Sequence, residues 1–356
     1  MKHIVTVIGA RPQFIKAASV SRVLKNLPGI RETIVHTGQH YDDNMSAIFF
    51  RELNIPEPDY NLGIGGSLHG EMTGRQLIAL ESLLLKEKPD LVLVYGDTNS
   101  TLAGALAAVK LLIPVAHVEA GLRSYNRQMP EEINRILTDH ISEWLFTPTT
   151  LAVSNLDSEG INSDKVHQVG DVMYDAMLYY RKKAENQSSI LDDLGISKIN
   201  YILATVHRAE NTDNQKRLSD IFRGLEEAQM PMILPLHPRT HKQINKFKIQ
   251  IPDSVKILEP LGYLDMVMLE SHARLIMTDS GGVQKEAYFN HVPCLILREE
   301  TEWQELITNR QNKLVGTDVD RIRSGVNLDW YDDAAECSLL FGDGNAAKKI
   351  AEILAV

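Results

Sequence analysis

Short apolar runs rich in β-branched residues alternate with amphipathic stretches along the chain. In the first half, the apolar runs occupy residues 4–8, 33–36, 91–95, 115–118 and 144–146. Helical periodicity fills the intervals between them, for instance over residues 70–88 and 99–112. This order is typical of βαβ units, in which a helix joins two parallel strands. The sequence therefore predicts a parallel sheet covered by helices.

The same alternation begins again near residue 170. Five further apolar runs follow, at residues 201–205, 232–236, 255–258, 275–277 and 294–297. A chain of 356 residues with 44% hydrophobic side chains also exceeds what one core usually organises. We therefore predict an α/β protein with two Rossmann-like, doubly wound parallel sheets facing a central cleft.

Polar residues cluster just after the predicted strands of both halves. In an open parallel sheet, ligands bind beyond the carboxyl ends of the strands. The concentration of polar residues at one end of both sheets therefore predicts a ligand site in the cleft. The polar segments are residues 9–12, 38–40, 96–98, 119–121, 207–208, 237–239, 279–282 and 298–299.

Composition and charge exclude several classes of partner. A formal net charge of −10 argues against a sequence-independent nucleic-acid binder, which needs a basic face. No stretch approaches the roughly 18 apolar residues of a membrane span, and the amino terminus resembles no signal segment. The two cysteines are too few for a disulfide framework. We expect a cytoplasmic protein with a small ligand and no nucleic-acid or membrane partner.

Two motifs suit a phosphate-bearing ligand. The segment Asp279-Ser280-Gly281-Gly282 leads into a predicted helix over residues 283–289, so free backbone N–H groups would point at an anion. Glu286, in the first turn of that helix, would accept hydrogen bonds from ribose hydroxyls. Arg11 and Lys16, after the first strand, would neutralise a diphosphate. The simpler alternatives are an ordinary helix cap and a solvated lysine.

Three carboxylates are candidates for acid–base chemistry. Asp97 and Glu119 follow successive apolar strands, and Glu131 opens a helix after Pro130. Acids that converge from strand ends can supply both a proton donor and a proton acceptor. For Glu131 taken alone, the favourable interaction of an acid with a helix start is the simpler explanation.

Three histidines, His117, His207 and His237, lie near strand ends. Their neighbourhood contains no spacing typical of a metal site, and the glycine-rich segment 62–67 lacks the spacing of a dinucleotide-binding loop. His117, two residues before Glu119 on the same predicted strand, is interpreted as an interior histidine. We therefore expect neither a metal nor NAD.

Six segments stand in order along nearly the whole chain. They are Gly-Ala-Arg-Pro-Gln-Phe-Ile-Lys at 9–16, Gly-Asp-Thr-Asn-Ser-Thr at 96–101, His-Val-Glu-Ala-Gly-Leu-Arg at 117–123, Pro-Glu-Glu-Ile-Asn-Arg at 130–135, His-Arg-Ala-Glu-Asn at 207–211 and Thr-Asp-Ser-Gly-Gly-Val-Gln-Lys-Glu at 278–286. Together they resemble the signature blocks of the non-hydrolysing UDP-N-acetylglucosamine 2-epimerases. Six blocks in register leave little room for coincidence.

The resemblance implies a GT-B arrangement, as in nucleotide-sugar glycosyltransferases. The first domain would cover residues 1–169, the second residues 170–344, and a carboxy-terminal helix at 345–356 would return to the first. It also implies a homodimer, a UDP-sugar substrate and no cofactor. The expected reaction interconverts UDP-N-acetylglucosamine and UDP-N-acetylmannosamine by eliminating and re-adding UDP. By the same resemblance, the catalytic residues of the family correspond to Asp97, Glu119, Glu131 and His207. Its UDP-contacting residues correspond to Arg11, Lys16, His237, Ser280, Gly281, Gly282 and Glu286.

Two blocks depart from the family pattern, because each has lost an arginine. In one, Ala209 puts substrate-activated allosteric control in question. The other is a further family block, here Thr301-Glu302-Trp303-Gln304-Glu305. Its Trp303 resembles the residue of the branch that acts on UDP-2,3-diacetamido-2,3-dideoxyglucuronic acid, which we keep as an alternative. Arg123 and Arg298 are then candidate contacts for the sugar carboxylate, with Trp303 beside the added acetamido group. A GT-B glycosyltransferase, a hydrolysing epimerase and a nucleotide-sugar sensor stay as further alternatives.

Overall fold

The computed structural model describes residues 1–39, 57–226, 230–308, 311–327 and 340–355. The chain divides into two compact units. The first unit consists of Met1–Leu178 together with Ser338–Val356, and the second consists of Tyr179–Cys337. Each unit is built on a parallel sheet of its own.

The sheet of the first unit has seven strands in the order β3-β2-β1-β4-β5-β6-β7. All neighbouring strands are parallel. Its strands are β1 Lys2–Ile8, β2 Ile30–His36, β3 Tyr60–Asn61, β4 Leu91–Tyr95, β5 Val115–Val118, β6 Trp144–Thr147 and β7 Val166–Gln168. Every residue of β4 and β5 is buried, as expected when helices cover both faces of a parallel sheet.

The sheet of the second unit has six parallel strands in the order β10-β9-β8-β11-β12-β13. Its strands are β8 Ile202–Thr205, β9 Met232–Pro235, β10 Val255–Leu258, β11 Leu275–Thr278, β12 Cys294–Ile296 and β13 Asn312–Leu314. A separate hydrophobic core packs against this sheet. The predicted fold class, α/β with two doubly wound parallel sheets, is confirmed.

Helices connect the strands of both sheets. In the described residues they are α1 Arg11–Leu24, α2 His69–Glu87, α3 Asn99–Lys110, α4 Pro130–Ile141, α5 Thr150–Ser158, α6 Val172–Gln187, α7 Ile190–Asp193, α8 Ala209–Thr212, α9 Gln215–Glu226, α10 Pro238–Phe247, α11 Tyr263–His272, α12 Gly281–Phe289, α13 Gln304–Thr308, α14 Val319–Val326 and α15 Ala346–Ala355. The short 3₁₀ helix Ser163–Lys165 precedes β7. The last helix, α15, packs against α1, and the carboxylate of Asp175 accepts hydrogen bonds from the backbone N–H groups of Ala346 and Ala347.

The strand order reverses once in each sheet, between β1 and β4 and between β8 and β11. At such a reversal the connecting helices depart to opposite faces, which leaves a crevice at the carboxyl ends of the two central strands. Asp97 follows β4, and His207 and Asp279 follow β8 and β11. The topology thus brings the predicted polar segments to the places where open α/β sheets bind ligands.

Three strands were not predicted from the sequence. The strands β3, β7 and β13 are two or three residues long and lie at the sheet edges, where burial is incomplete and no apolar run marks them. The predicted start of one helix changes the account of the site, because α12 begins at Gly281 instead of residue 283. Glu286 therefore lies in the second turn of that helix, and its predicted place in the first turn was wrong.

Candidate functional site

Lys16 and Glu119 form a buried ion pair in the first unit. Lys16 is the sixth residue of α1 and Glu119 follows β5 directly, so both lie at the carboxyl edge of the sheet. A Cβ atom at Gly96 would be 3.2 Å from Glu119 Oε2 and 3.3 Å from Lys16 Nζ. With its φ of +61°, Gly96 therefore suits this turn in both conformation and size. The pair lies beside the backbone that carries Asp97.

Glu119 adopts a left-handed backbone conformation, with φ at +72°. This region is uncommon for residues other than glycine, and its cost is accepted mainly at functional sites. The backbone N–H groups of Glu119 and Ala120 both donate to the carbonyl of Phe146, which fixes the turn. The strained turn aims the Glu119 carboxylate at Lys16.

The carboxylate of Asp97 is held by α4. Arg135 Nη2 donates to Asp97 Oδ2 at 2.6 Å, and the side chain of Asn134 donates to the Asp97 carbonyl at 2.9 Å. Arg135 also bonds Glu132 through Nη1 at 3.0 Å. About a third of the Asp97 side chain stays exposed. Asp97 is therefore positioned firmly yet open to a ligand.

Glu131 and Glu132 are neighbours with different surroundings. Glu132 is buried and accepts hydrogen bonds from the backbone N–H groups of Ser124 and Tyr125, so it fixes the loop before α4. Glu131 is half-buried and has no hydrogen-bond or ion-pair partner within the part of the chain that the structure describes. Glu131 is thus the less constrained acid of this pair.

His117 is an interior histidine, as predicted. Its Nδ1 lies 2.7 Å from Asp139 Oδ1 and its Nε2 lies 2.7 Å from the carbonyl oxygen of Gly96. Arg123 Nη1 donates to the second oxygen of Asp139 at 2.7 Å. Burial alone would raise the pKa of Asp139, but the contacts with His117 and Arg123 outweigh it and lower the pKa.

Arg123 also pairs with Glu159, with contacts of 2.6 and 2.7 Å. Burial opposes the charge of Arg123, but Glu159 and Asp139 together raise its pKa. Because two carboxylates already take its donors, Arg123 is poorly suited to the predicted contact with a sugar carboxylate.

Arg11, the first residue of α1, is also a predicted UDP contact. Its side chain lies outside the described part of the structure.

The segment that was predicted to bind a diphosphate lies in the second unit, at the start of α12. Ser280 is the N-cap residue, and its Oγ accepts from the backbone N–H of Val283. A Cβ atom at Gly281 would be 2.3 Å from Glu302 Oε1, so a larger residue there would push the end of the Glu302 side chain aside. At Gly282 the nearest atom would be Ser280 Oγ at 3.8 Å, which leaves room for a ligand atom near the backbone. This geometry suits an anion at a helix start.

His207 and His237 lie near each other in the second unit, with ring centroids 5.9 Å apart. His237 is the N-cap residue of α10, and its Nδ1 accepts from the backbone N–H of Arg239. His207 follows β8 and is bound through its backbone to the carboxylate of Asp279. The side chain of His207 is partly exposed, so its ring is accessible to a ligand.

Glu286 is buried in the second turn of α12, where the hydroxyl of Tyr263 donates to its Oε1 at 3.2 Å. Burial, with the nearby Glu286 carboxylate, raises the pKa of Tyr263 well above its usual value. Tyr263 therefore stays a neutral donor and fixes one oxygen of Glu286, the predicted ribose acceptor.

Arg298 and Trp303 are both buried beyond β12. Arg298 Nη1 donates to Glu302 Oε2 at 2.9 Å, and Lys285 Nζ lies 4.1 Å from the centre of the Trp303 ring. A cation at this distance is attracted to the face of the indole. Because Glu302 also approaches Gly281, Arg298 and Trp303 adjoin the start of α12.

The structure thus assembles the predicted residues in two groups. Lys16, Asp97 and Glu119 form one group at the carboxyl edge of the first sheet. Sequence reasoning did not single out Arg135, Asp139 or Tyr263, and it named Asp279 only as part of the motif at 279–282. These residues hold the two groups in place. Arg135 lies three residues after Glu132 on a helix, a spacing that could have indicated an ion pair. The group in the second unit comprises His207, His237, Ser280, Gly281, Gly282, Glu286, Arg298 and Trp303.

In the described ranges, no helix is both long enough and apolar enough to span a membrane. Nor do the described residues bring together three or more His, Cys, Asp or Glu side chains in an arrangement suited to a metal ion.

Two doubly wound parallel sheets place the chain in the class of α/β proteins that bind ligands at the carboxyl ends of the strands. Acids follow the strands of the first sheet, and a capped helix start follows β11 in the second. The sequence model of the family described as UDP-N-acetylglucosamine 2-epimerase matches residues 22–355. The chain belongs to this family.

Three similar proteins span almost the same length. A UDP-N-acetylglucosamine 2-epimerase homolog of Methanococcus maripaludis is 55% identical, with 99% of each chain covered. The UDP-2,3-diacetamido-2,3-dideoxy-D-glucuronate 2-epimerase of Pseudomonas aeruginosa is 50% identical, again with 99% of each covered. The crystal structure of Methanocaldococcus jannaschii UDP-GlcNAc 2-epimerase, in complex with UDP-GlcNAc and UDP, has a TM-score of 0.91 and 46% identity. The structural match covers 100% of this chain and 99% of the M. jannaschii chain.

Proposed function

We propose that the protein inverts C2 of a UDP-linked 2-acetamido sugar, interconverting UDP-N-acetylglucosamine and UDP-N-acetylmannosamine. The observation that carries this proposal is the set of fixed acids after neighbouring strands of the first sheet. Asp97 is held by Arg135, and Glu119 is held by Lys16 in a strained turn. The chain's membership of the epimerase family supports the same reaction.

The chemistry explains why such a site needs several acids. The C2 proton of a 2-acetamido sugar is not next to a carbonyl carbon, so a carboxylate cannot remove it directly. If the C1–O bond breaks first, UDP leaves with the bonding electrons and the C2 proton becomes acidic. A base takes that proton, and its bonding electrons form the C1=C2 double bond of a glycal. Reprotonation of C2 from the other face, with return of the UDP oxygen to C1, completes the inversion.

Each group of residues has a part in this route. Asp97, Glu119 and Glu131 would transfer the protons and stabilise the cationic transition state. Lys16, Arg11 and the N–H groups at the start of α12 would stabilise the leaving diphosphate, where negative charge develops. In the second unit, the diphosphate would contact Ser280, Gly281 and Gly282. Glu286 would bind the ribose, and His237 would contact another part of UDP.

His207 would act beside the reacting sugar. The route moves protons and a leaving group without net oxidation, so it does not call for NAD.

Turnover of UDP-N-acetylglucosamine alone in heavy water tests the reaction. An epimerase should produce UDP-N-acetylmannosamine with deuterium at C2, because the proton that returns comes from a group in exchange with solvent. A glycosyltransferase would leave the UDP-sugar unchanged without an acceptor, and a hydrolysing epimerase would release free N-acetylmannosamine. Product without deuterium at C2 would contradict the elimination route.

A second candidate substrate is UDP-2,3-diacetamido-2,3-dideoxyglucuronic acid. The relative that acts on this sugar is 50% identical to the chain, against 46% for the M. jannaschii UDP-GlcNAc 2-epimerase. Trp303, near Gly281, would pack an apolar face against the added acetamido group. Arg298 would supply the cation for the sugar carboxylate, by exchanging its partner Glu302 for the ligand.

Substitution of Trp303 separates the two substrates. Arginine would add a cation in place of the indole, and the two side chains cannot make the same contact. If the diacetamido sugar is the substrate, the parent should prefer it by more than tenfold in kcat/KM, about 1.4 kcal/mol in the transition state. Trp303→Arg should then reduce that preference. A parent that prefers UDP-N-acetylglucosamine by tenfold would eliminate this candidate.

Three further expectations accompany the proposal. We expect a homodimer, a location in the cytoplasm and a part in polysaccharide biosynthesis. Sedimentation equilibrium of the purified chain tests the first, and fractionation of the source cells tests the second.

A further inference from the structure

Asp279 is a fully buried carboxylate between β11 and α12. Removing a carboxylate from water is costly unless hydrogen bonds replace its hydration. Here the backbone N–H of His207 donates to both oxygens at 3.1 Å, and the backbone N–H of Arg208 donates to Oδ2 at 3.0 Å. The side chain of Asn211 adds a further bond at 3.1 Å. One carboxylate thus binds three residues of the segment that follows β8, His207 and Arg208 in the loop and Asn211 in α8.

The topology explains why these segments meet. Thr205 of β8 pairs with Thr278 of β11 at the point where the strand order reverses, and their hydroxyls are 2.6 Å apart. Beyond this pair, the Asp279 carboxylate links the segment after β11 to the segment after β8. Since Ser280 is the next residue, the same short segment joins the His207 loop to the start of α12.

Asp279 also approaches the ring of His207. Its Oδ1 lies 3.5 Å from His207 Nδ1, within the range of an ion pair. A carboxylate in this position favours the tautomer that carries its proton on Nδ1. The other nitrogen, Nε2, then has a lone pair with which it can accept a proton. About two-fifths of the side chain of His207 is exposed, so a ligand can reach the ring.

We propose that Asp279 is a positioning residue for His207, fixing both the backbone of its loop and the tautomer of its ring. The proposal rests on the proposed function, in which His207 acts beside the reacting sugar. Asparagine could not replace the carboxylate, because an amide offers one acceptor oxygen and would turn an NH₂ group towards converging N–H donors. Asp279 therefore acts through His207 without touching the reacting atoms itself.

A double-mutant cycle tests whether Asp279 acts through His207. Asp279→Asn should lower kcat roughly 10- to 100-fold, by analogy with the loss of a carboxylate that orients a metal-bound histidine. In the background of His207→Asn, the same change should lower kcat less than about threefold, because nothing is left to position. Equal losses in both backgrounds would overturn the proposal, and so would full activity of Asp279→Asn. Asp220→Asn, a buried carboxylate paired with Lys216 and Arg223 on α9, is the matched control and should keep the parental kcat.

A second measurement uses the parent protein and stands even if Asp279→Asn fails to fold. Nitrogen-15 spectra of histidine-labelled protein distinguish the two neutral tautomers, and the His207 signals are those absent from His207→Asn. We expect the tautomer protonated on Nδ1 at a pH where the ring is neutral. The tautomer protonated on Nε2 would overturn the proposal. A parent that turns over no UDP-sugar would instead contradict the proposed function, and the spectra would still decide the geometry at Asp279.

Discussion

Replacing Asp139 with asparagine should destabilise the first unit strongly. The Asp139 carboxylate is completely buried and accepts hydrogen bonds from the backbone N–H of Gly121 at 3.1 Å and from Arg123 Nη1 at 2.7 Å. It also lies 2.7 Å from His117 Nδ1. Asparagine has the same shape, but it has no charge and one acceptor oxygen instead of two. The guanidinium of Arg123 would then be buried beside a neutral amide.

The expected loss follows from this geometry. Removing one partner of a buried ion pair typically costs about 3–5 kcal/mol, because the other charge stays buried. Arg123 keeps its second partner, Glu159, so we expect the lower end, about 3 kcal/mol. For a unit of this size, that corresponds to a fall in Tm of roughly 6–12 °C.

Urea unfolding and calorimetry of the parent and Asp139→Asn measure this loss. The matched control is Glu159→Gln, which removes the other carboxylate of Arg123. Since about a quarter of the Glu159 side chain is exposed, water can replace it, and the loss should be at most about 1 kcal/mol. A loss below 1 kcal/mol for Asp139→Asn, or equal losses for the two variants, would refute this reasoning.

The lowered pKa of Asp139 also makes the free energy of unfolding depend on pH. Because it is lower in the folded protein, its contribution to stability is present above the unfolded value of about 3.9 and is lost as the pH falls through the folded value. The difference in unfolding free energy between the parent and Asp139→Asn should therefore be largest near neutral pH and shrink below about pH 4. A constant difference down to pH 3 would contradict this linkage.

Three further predictions concern activity. Asp97→Asn and Glu119→Gln should each lower turnover at least ~100-fold while the fold stays intact, because this is the scale for loss of a positioned acid or base. Near-normal turnover of either variant would remove that residue from the mechanism. His207→Asn should slow catalysis and release UDP and glycal, which chromatography of the products detects; a variant that neither slows nor leaks would make His207 structural. Gly281→Ala should raise the Kd for UDP several-fold, because the added methyl group would displace the end of the Glu302 side chain and disturb its pair with Arg298 beside the start of α12. An unchanged Kd in calorimetry would exclude Gly281 from the site.

Local pattern was enough to predict most of the fold. The central strands are continuous apolar runs, because both faces of a parallel sheet are covered, and such runs are visible in the sequence. The short edge strands β3 and β13 were missed for the converse reason, since two or three partly exposed residues leave no periodic signal. A strand can thus be predicted from its apolar residues only where several consecutive residues are buried.

The candidate site was predicted in part for the same reason. Asp97 and Glu119 follow apolar runs, so their places at strand ends could be derived from neighbouring residues. The difference between Glu131 and Glu132 could not, because it depends on which of them meets the loop at Ser124 and which is left free. The left-handed turn at Glu119 could not be predicted either, since a glutamate does not favour a positive φ.

The sequence by itself determined the fold class, the family resemblance and the residue types available for acid–base and phosphate chemistry. The tertiary structure alone decided which of these side chains lie next to each other. Lys16 meets Glu119 across 103 positions of the chain, and His207 meets Asp279 across 72. Contacts this distant depend on the order in which strands join a sheet. Periodicity and spacing act over a few residues and do not encode that order, so only the folded chain brings these charges together.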